Sequence, residues 1–390
     1  MTRRCRVVPA AAAATLLALG PAAAAAANPQ GTGAEERSGS GRAADYRLYF
    51  GDLHNHTAFS DGATGSTPDD AFDHARASGA DWLSTSDHNF MLRQTEWATT
   101  KQMAADRTDA GFVAMAGSEY WIASGFGEVI VNNVDELYNK ANWRPHGQHL
   151  SVHEVPPNFY DWLASRPGAV GHWPHPGLYG DQDDFRHHTP FRDRAMSSIE
   201  IHNYGSYLGA PASWGVHDYE PSYVTALDEG WHVLPAAVSD THAANWISGS
   251  PVRTVLLAER LTRPALVDAM RASRGYAVLD DNLRVQFELD GHVMGATLLA
   301  GDSTYVAHVR AVDPDGTAAD AITRVEVLSD GGEPVASRAF DGTRDDSAVD
   351  TRFTLRSTTA RYFYVRITTA SDVSGGEGVT AWTAPVWTGR

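Results

Sequence analysis

Histidine and carboxylate side chains recur directly after short apolar runs of the sequence, at the positions where β-strands would end. The chain holds 17 histidines among its 390 residues, and the following donors occupy such positions: His54, His56 and Asp61 in GDLHNHTAFSDG, His88 in STSDH, Glu119 in AGSEY, His175 in GHWPHP, His202 in IEIHN, and Asp240 and His242 in VSDTH. Imidazole and carboxylate are ligands of borderline and hard divalent cations. The set therefore predicts a metal site rather than separate core histidines.

Elements of an α/β fold would bring these scattered donors together. The predicted strands cover residues 47–51, 81–85, 112–117, 128–132, 169–173, 198–201, 233–238 and 254–257, and the predicted helices cover 68–78, 93–105, 158–165 and 264–273. Alternation of strands and helices over this length predicts an α/β barrel. The carboxyl ends of barrel strands share one face, so donors from residue 54 to residue 242 would converge there.

The hydrophobic pattern of the sequence changes after Asn282. Alternating runs bounded by Gly, Asp and Asn replace the helical stretches, at 283–289, 305–311, 324–328, 334–339, 352–355, 362–368 and 379–386. This pattern predicts a small all-β sandwich. In RYFYVRI, the residues from Tyr362 to Ile367 alternate between a polar-aromatic and an apolar face. Trp382 and Trp387 leave two roles open for this region: binding to a carbohydrate or lipid surface, or a scaffold packed against the barrel.

The net charge argues against nucleic acid as a partner. The chain carries 31 Lys and Arg against 48 Asp and Glu, a formal charge of -17. Affinity for nucleic acid comes largely from Lys and Arg that neutralise phosphates, so an acidic chain of this kind is a poor candidate. The composition is that of a folded, soluble protein.

The N-terminus predicts export. Arg3, Arg4 and Arg6 precede an alanine-rich apolar run that ends in small residues near Ala27, which is typical of a cleaved signal over residues 1–27. Residues 28–44 have the composition of a flexible linker. The mature chain would be secreted or extracytoplasmic with no stable membrane span; the general and the twin-arginine routes both stay open.

Six motifs occur in a fixed order over about residues 47–283: G-D-L-H-N-H-T-x-x-S-D-G, S-D-H, G-S-E, H-P, E-I-H-N and S-D-T-H. In this ordered set the chain resembles the polymerase and histidinol phosphatase (PHP) superfamily of metal-dependent phosphoesterases. The opening GDLHNHT, the export signal and the ending TAWTAPVWT resemble its CehA/McbA-type branch. The resemblance implies a distorted (β/α)7 TIM-like barrel over residues 45–283, followed by the β-sandwich over residues 284–390.

The resemblance also implies a trinuclear metal site. His54, His56, Glu119 and Asp240 would hold the first ion, and Glu119 would bridge to a second ion held by His175 and His202. Asp61, His88 and His242 would hold the third. Glu200 and Asn203 lie close to His202 in sequence, and His172 competes with His175, although the H-P step selects His175. Two or three divalent ions are expected, and zinc, manganese and iron all fit these donors.

The leading hypothesis is an exported phosphoesterase that cleaves small phosphate mono- or diesters by metal-activated hydroxide, with Asp61, Glu119 and His242 as catalytic residues. Arg192 is the predicted substrate contact, because an arginine fork suits phosphate oxygens. The same site could hydrolyse a carboxylic ester, carbamate or amide. A third alternative is a non-catalytic protein that binds metal or a surface. The sequence does not indicate the oligomeric state.

Overall fold

A computed structural model describes residues 45–123, 125–137, 155–205, 219–299, 303–370 and 378–390. The predicted export signal and linker lie outside the described residues. Within those ranges, no helix combines the length and the apolar character that crossing a membrane requires.

Four of the six helices in the described residues lie close to where the sequence predicts them. They are α1 (Pro68–Ala77), α2 (Gln94–Arg107), α3 (Val155–Ala164), α4 (Pro190–Asp193), α5 (Glu220–Asp228) and α6 (Arg263–Arg271). The start of α1 is set by capping residues that the sequence contains. Thr67 Oγ1 accepts a hydrogen bond from the Asp70 backbone N–H, and Asp70 Oδ2 accepts one from the Thr67 N–H. Pro68 at the first helical position completes this capping box. The short helices α4 and α5 are absent from the sequence prediction.

The strands account for most of the fold. They are β1 (Arg47–Asp52), β2 (Trp82–Thr85), β3 (Val113–Ala123), β4 (Gly127–Asn132), β5 (Val170–Trp173), β6 (Met196–Asn203), β7 (Leu234–Val238), β8 (Arg253–Ala258), β9 (Gly275–Val278), β10 (Arg284–Leu289), β11 (His292–Val293), β12 (Thr304–Val312), β13 (Ile322–Leu328), β14 (Pro334–Ala339), β15 (Ala348–Arg356), β16 (Tyr362–Thr369), β17 (Val379–Thr383) and β18 (Val386–Trp387). Every residue of β4, β6, β7 and β8 is buried, as in strands covered on both faces.

The strands form one long mixed sheet and one smaller sheet. The long sheet runs β14-β13-β16-β17-β9-β8-β1-β2-β3-β4-β5-β6-β7, and the smaller one runs β11-β10-β12-β15. Pairing is parallel from β1 to β3 and from β5 to β7, whereas β4 pairs antiparallel with both β3 and β5. The fold is therefore α/β, as predicted, but it consists mostly of strands, and its pairing is not the all-parallel pairing of a regular barrel.

The far end of the long sheet returns toward β1. The Asp240 N–H donates to the His54 carbonyl and the His56 N–H donates to the Thr241 carbonyl, both at 3.0 Å. These bonds join the residues that follow β7 to the residues that follow β1. Because β7 forms a ladder only with β6 among the described residues, closure into a (β/α)7 barrel stays a prediction.

The C-terminal strands show the alternation that their sequence predicts. Phe363, Val365 and Ile367 of β16 lie in an apolar core together with side chains of β10 and β12 in the smaller sheet. Two sheets thus face each other across that core. One of them continues through β17 into β9, so a separate sandwich beginning at residue 284 stays a prediction.

The opposite face of β16 packs on α5. Glu220 accepts hydrogen bonds from Tyr364 Oη (2.7 Å), Arg366 Nη1 (3.0 Å) and Trp382 Nε1 (3.1 Å). Trp382 and Trp387 are each only 5% exposed, so neither ring is available to a carbohydrate or lipid surface. Of the two roles considered for this region, the structure favours the packed scaffold.

A cluster of carboxylates at the end of β12 predicts a pH-dependent stability. Burial raises the pKa of Asp313 to about 6, and Asp280 and Asp320 contribute to the shift. The neutral form is therefore favoured in the folded state, and stability declines as the pH rises from about 4 through 6. We expect Asp313→Asn, which keeps the acceptor for the Asp315 N–H, to raise Tm by about 1–3 °C at pH 7.5 but not at pH 4. Calorimetry in EDTA at both pH values tests this; an equal gain at both would contradict it.

Candidate metal centre

The donors meet because the strands that precede them end at one edge of the long sheet. β1 leads into His54 and His56, β2 into His88, β5 into His175, and β7 into Asp240 and His242, while Glu119 lies inside β3. Parallel bridges join Asn55 to Thr241 and His88 to Glu119. The sheet edge thus places side chains from distant parts of the sequence in one cleft.

Four donors form a tight first group at the bottom of this cleft. His54 Nε2 and His56 Nε2 are 3.1 Å apart. Glu119 Oε2 lies 3.4 Å from each of these two nitrogens, and Asp240 Oδ1 lies 3.2 and 3.3 Å from them. A tetrahedral shell of ligands at about 2.0–2.1 Å from an ion has edges of about 3.3–3.4 Å. The separations among His54, His56 and Glu119 are close to this value and fit one small divalent cation, whereas Asp240 groups with His54 and His175 rather than with Glu119.

A second set of donors surrounds Asp61 at the mouth of the cleft. Asp61 Oδ2 is 3.5 Å from both His88 Nε2 and His242 Nε2, and Asp61 Oδ1 is 3.4 Å from His56 Nδ1. The His242 ring stacks on His56 with ring centroids 4.1 Å apart. The His56 imidazole thus stands between this group and the first one.

The third set is built on the other oxygen of Glu119. Glu119 Oε1 lies 3.1 Å from His175 Nε2, so this carboxylate contacts two sets at once. His202 is buried in β6, but it joins none of the donor groups formed by the described residues. A role for His202 as a ligand stays a prediction.

Glu128 is a site residue that the sequence analysis missed. It lies in β4 directly opposite Trp121 of β3, and it groups with His88 and Glu119. Burial and the neighbouring Glu119 carboxylate raise the pKa of Glu128 to about 7. It stands in no histidine motif, and only the antiparallel β3–β4 pairing brings it to the cleft. Its one sequence signal is a carboxylate directly before the apolar run VIV of β4.

Glu200 orients His54 and His175 through contacts with atoms that do not face the other donors. Its Oε1 lies 2.7 Å from His54 Nδ1 and 3.1 Å from His172 Nε2, and its Oε2 accepts the His175 backbone N–H at 2.6 Å. The other nitrogen of His172 meets Ser198 Oγ at 2.8 Å. His172 is therefore engaged away from the donors, whereas His54 keeps Nε2 directed at the first group.

Removing the Glu200 charge is expected to weaken metal binding. In Glu200→Gln the amide nitrogen cannot accept the His175 N–H while the oxygen also holds His54, so the ligands lose part of their orientation. We expect the affinity for Zn²⁺ to fall by about 10–100-fold. Competition with a chromogenic chelator measures this affinity. Unchanged affinity would show that Glu200 does not orient the ligands.

Asp87 holds the loop that carries Asp61. Its Oδ1 accepts hydrogen bonds from the Thr57 N–H (2.8 Å) and Ser60 Oγ (2.7 Å), and its Oδ2 accepts one from Thr57 Oγ1 (2.8 Å). These bonds fix residues 57–60 against the end of β2. Asp61 therefore approaches the cleft from an ordered loop.

Arg192 lies away from these donors. Its Nε and Nη2 donate to the two carboxylate oxygens of Asp161 at 2.6 and 3.0 Å, and its Nη1 donates to the His187 carbonyl. Arg192 does not line the cleft around the donors. The predicted substrate contact of Arg192 therefore has no geometric support and stays a prediction.

Electrostatics in the cleft favour cations. Burial lowers the pKa of His54, but Asp240 and Glu119 raise it well above its usual value. Burial also lowers the pKa of His56, and Asp240 and Asp61 bring it up to about 10. Burial raises the pKa of Glu119, but His54 and His175 bring it well below its usual range. Metal ions would replace these protons, so binding should release protons and weaken at low pH.

Two buried polar atoms that make no hydrogen bond indicate that the donors fit a metal ion. Asp240 Oδ1 and His88 Nδ1 are buried and make no hydrogen bond among the described residues, although they lie in ion pairs with His54 Nε2 at 3.2 Å and with Glu119 Oε2 at 3.3 Å. Asp240 and His175 also hold left-handed backbone conformations, with φ of 47° and 26°. Buried unpaired polar atoms and non-glycine residues at positive φ are both unfavourable unless another interaction compensates. A bound cation would supply that interaction.

The cleft above the donors has a volume of about 640 Å³. Aromatic rings line it beside the imidazoles: Phe90 stacks on His88, and Tyr179 meets both His175 and Trp121. Phe90 is 61% exposed and Tyr179 is 44% exposed. Among the described lining residues there is no Lys or Arg.

Comparison with known proteins gives no family assignment. No family model matches the chain, and no curated protein matches it. A crystal structure from Bacteroides vulgatus, of a two-domain protein containing a predicted PHP-like metal-dependent phosphoesterase, is similar at 14% identity and a TM-score of 0.46 over 88% of this chain and 96% of that one. A proposed metal-dependent phosphoesterase from Bifidobacterium adolescentis is similar at 16% identity and a TM-score of 0.30 over 49% of this chain and 87% of that one. Likeness of this degree establishes neither fold nor activity.

Proposed function

We propose that this chain is a metal-dependent hydrolase that cleaves small phosphate mono- or diesters. The observation that carries the proposal is the position of Glu119. Its Oε2 lies 3.4 Å from His54 Nε2 and its Oε1 lies 3.1 Å from His175 Nε2, so one buried carboxylate stands between two sets of donors below an open cleft. Neighbouring cation sites that share a cleft are typical of phosphoesterases.

Divalent ions, when bound, would lower the pKa of water and neutralise charge on the phosphoryl group. The residues of the chain would hold and orient them: His54, His56, Glu119 and Asp240 for one ion, Glu119 and His175 for a second, and Asp61, His88 and His242 for a third. Asp61 and His242 are 42% and 43% exposed at the mouth, where they would face the leaving oxygen of a bound substrate. With these roles, no side-chain nucleophile is required.

A second candidate is hydrolysis of a carboxylic ester, carbamate or amide. The lining of the cleft favours it, because the described part has no Lys or Arg for additional phosphates and presents Phe90, Trp121 and Tyr179 to the substrate. Such a lining suits an uncharged organic group. Activated water attacks a carbonyl carbon as well as phosphorus.

One experiment separates these candidates. The protein is purified without chelator, its metal content is measured by mass spectrometry, and the same sample is assayed on a phosphomonoester, a phosphodiester and a carboxylic ester with the same leaving group. Two to three ions per chain with phosphoester turnover would support the leading proposal. Turnover of the carboxylic ester alone would favour the second candidate. Protein that stays inactive and metal-poor after addition of Mn²⁺ or Zn²⁺ would contradict both.

Three finer assignments belong to the same proposal. The ordered motifs from GDLHNHT to SDTH support membership of the PHP superfamily, and the opening and closing motifs support its CehA/McbA-like branch. The bonds between the residues that follow β1 and those that follow β7 support a distorted barrel. The N-terminal sequence supports export, with the substrate met outside the cytoplasm.

A further inference from the structure

Glu128 has the placement of a metal ligand. Residues directly opposite each other on an antiparallel pair, and residues two apart on one strand, share a face. Glu128 is opposite Trp121, which is two residues after Glu119, so these three side chains belong to one face of the β3–β4 hairpin. All three line the cleft, and Glu128 is only 3% exposed. Its carboxylate is held by two paired strands rather than by a loop.

The contacts of Glu128 are those of a carboxylate that lacks a cation. Its Oε2 lies 3.6 Å from His175 Nε2 and its Oε1 lies 3.8 Å from His88 Nδ1. Both distances are too long for hydrogen bonds, and no described residue donates one to this carboxylate. A buried carboxylate is unfavourable unless it is paired or coordinates a metal. His88 Nδ1, which faces it, is itself buried without a hydrogen-bond partner among the described residues.

Glu119 and Glu128 stand between the same two imidazoles. Glu119 Oε1 is 3.1 Å from His175 Nε2, and Glu119 Oε2 is 3.3 Å from His88 Nδ1. Ligands of one cation at about 2.1 Å lie about 3–4 Å from one another. The separations from Glu128 to the two imidazoles fall in the same range. Glu128 therefore lies beside Glu119 and within reach of His175, the two residues predicted to hold the second ion.

We propose that Glu128 is a ligand of the second ion, together with Glu119 and His175. This inference rests on the metal site of the proposed function, and it adds a ligand that none of the sequence motifs contains. The second ion then binds through two carboxylates of one hairpin and one imidazole. Its position is fixed by the β3–β4 pairing rather than by β6.

The test compares Glu128→Gln with the wild type and with Glu136→Gln, the same chemical change at an exposed residue beyond the end of β4. Each protein is equilibrated with Mn²⁺, freed of excess ion by gel filtration, and analysed by mass spectrometry. We expect Glu128→Gln to retain about one ion fewer per chain and to lose the spin-coupled part of the Mn²⁺ paramagnetic resonance spectrum. We expect Glu136→Gln to match the wild type. An unchanged ion count in Glu128→Gln would overturn the proposal.

Thermal unfolding separates a ligand from a structural residue. In EDTA, Glu128→Gln should unfold at the same temperature as the wild type or at a higher one, because it removes a buried carboxylate that accepts no hydrogen bond from the described residues. With Mn²⁺ its gain in Tm should be smaller than that of the wild type. A lower Tm in EDTA with loss of every ion would indicate a structural role and overturn the proposal. If the wild type binds its ions but hydrolyses no phosphate ester, the proposed function fails, while the ion count still decides the role of Glu128.

Discussion

Glu119→Ala is expected to abolish hydrolysis and to lower the metal content together. The Glu119 carboxylate contacts donors of all three sets: Oε2 lies 3.4 Å from His54 and His56 and 3.3 Å from His88, and Oε1 lies 3.1 Å from His175. Its removal leaves imidazoles that no longer share a carboxylate. Bound ions supply several kcal/mol of stabilisation in the transition state. A loss of about 4 kcal/mol corresponds to a decrease of about 10³-fold in kcat/KM.

The measurement combines kcat/KM on a phosphomonoester with ion counts on the same sample. Glu96→Ala is the matched control, because Glu96 pairs with Arg93 at the start of α2, outside the cleft. Circular dichroism verifies that both variants fold. A Glu119→Ala protein with a full set of ions and normal turnover would contradict the proposed site. Loss of turnover with all ions retained would place Glu119 in the chemistry rather than in metal binding.

A chain that ends at residue 283 is expected to be insoluble or unfolded. β9 pairs with β17 through Val278 with Ala381 and Ala277 with Trp382, and the Leu279 N–H donates to the Thr380 carbonyl. The shortened chain would expose this strand edge together with apolar side chains that are now buried. An exposed edge of this kind invites pairing with other chains.

The same truncation leaves Glu220 without its partners. Glu220 now accepts hydrogen bonds from Tyr364, Arg366 and Trp382, all beyond the cut. A partly buried carboxylate that loses its donors costs about 1–3 kcal/mol. Soluble yield and sedimentation velocity test the outcome, with a chain that lacks only residues 1–44 as the control. A soluble monomer that unfolds cooperatively would instead support an independent domain over residues 45–283.

The positions of the strands were predictable because buried strands consist of short apolar runs, which are visible in the sequence. Observed β1, β4 and β14 lie within one residue of their predicted bounds, and the donors fall at or near strand ends. The direction of pairing was not predictable in this way, because it depends on contacts between strands rather than on their composition. The antiparallel pairing of β4 with β3 and β5 could therefore not be read from the strand positions. Glu128 was missed for the same reason, since its place in the cleft exists only in the β3–β4 hairpin.

In the C-terminal region, too, the strands were predictable from the sequence, whereas their contacts with other elements were not. Alternation in β16 predicts two faces, and the structure has them. What each face meets is a tertiary property: the polar face of β16 meets Glu220 on α5, a helix that the sequence analysis did not predict. The aromatic residues Trp382 and Trp387 suggested surface binding only while their burial was unknown.

The left-handed backbone at Asp240 and His175 lowers the stability of the fold at two positions that are proposed to bind metal. Glycine would adopt φ values of 47° and 26° with less strain, but it would remove the carboxylate and the imidazole that are proposed as metal ligands. A screen for thermostability in the absence of metal would therefore favour variants in which both residues are replaced. Stabilised variants of this chain should therefore be sought with the ions present throughout the screen.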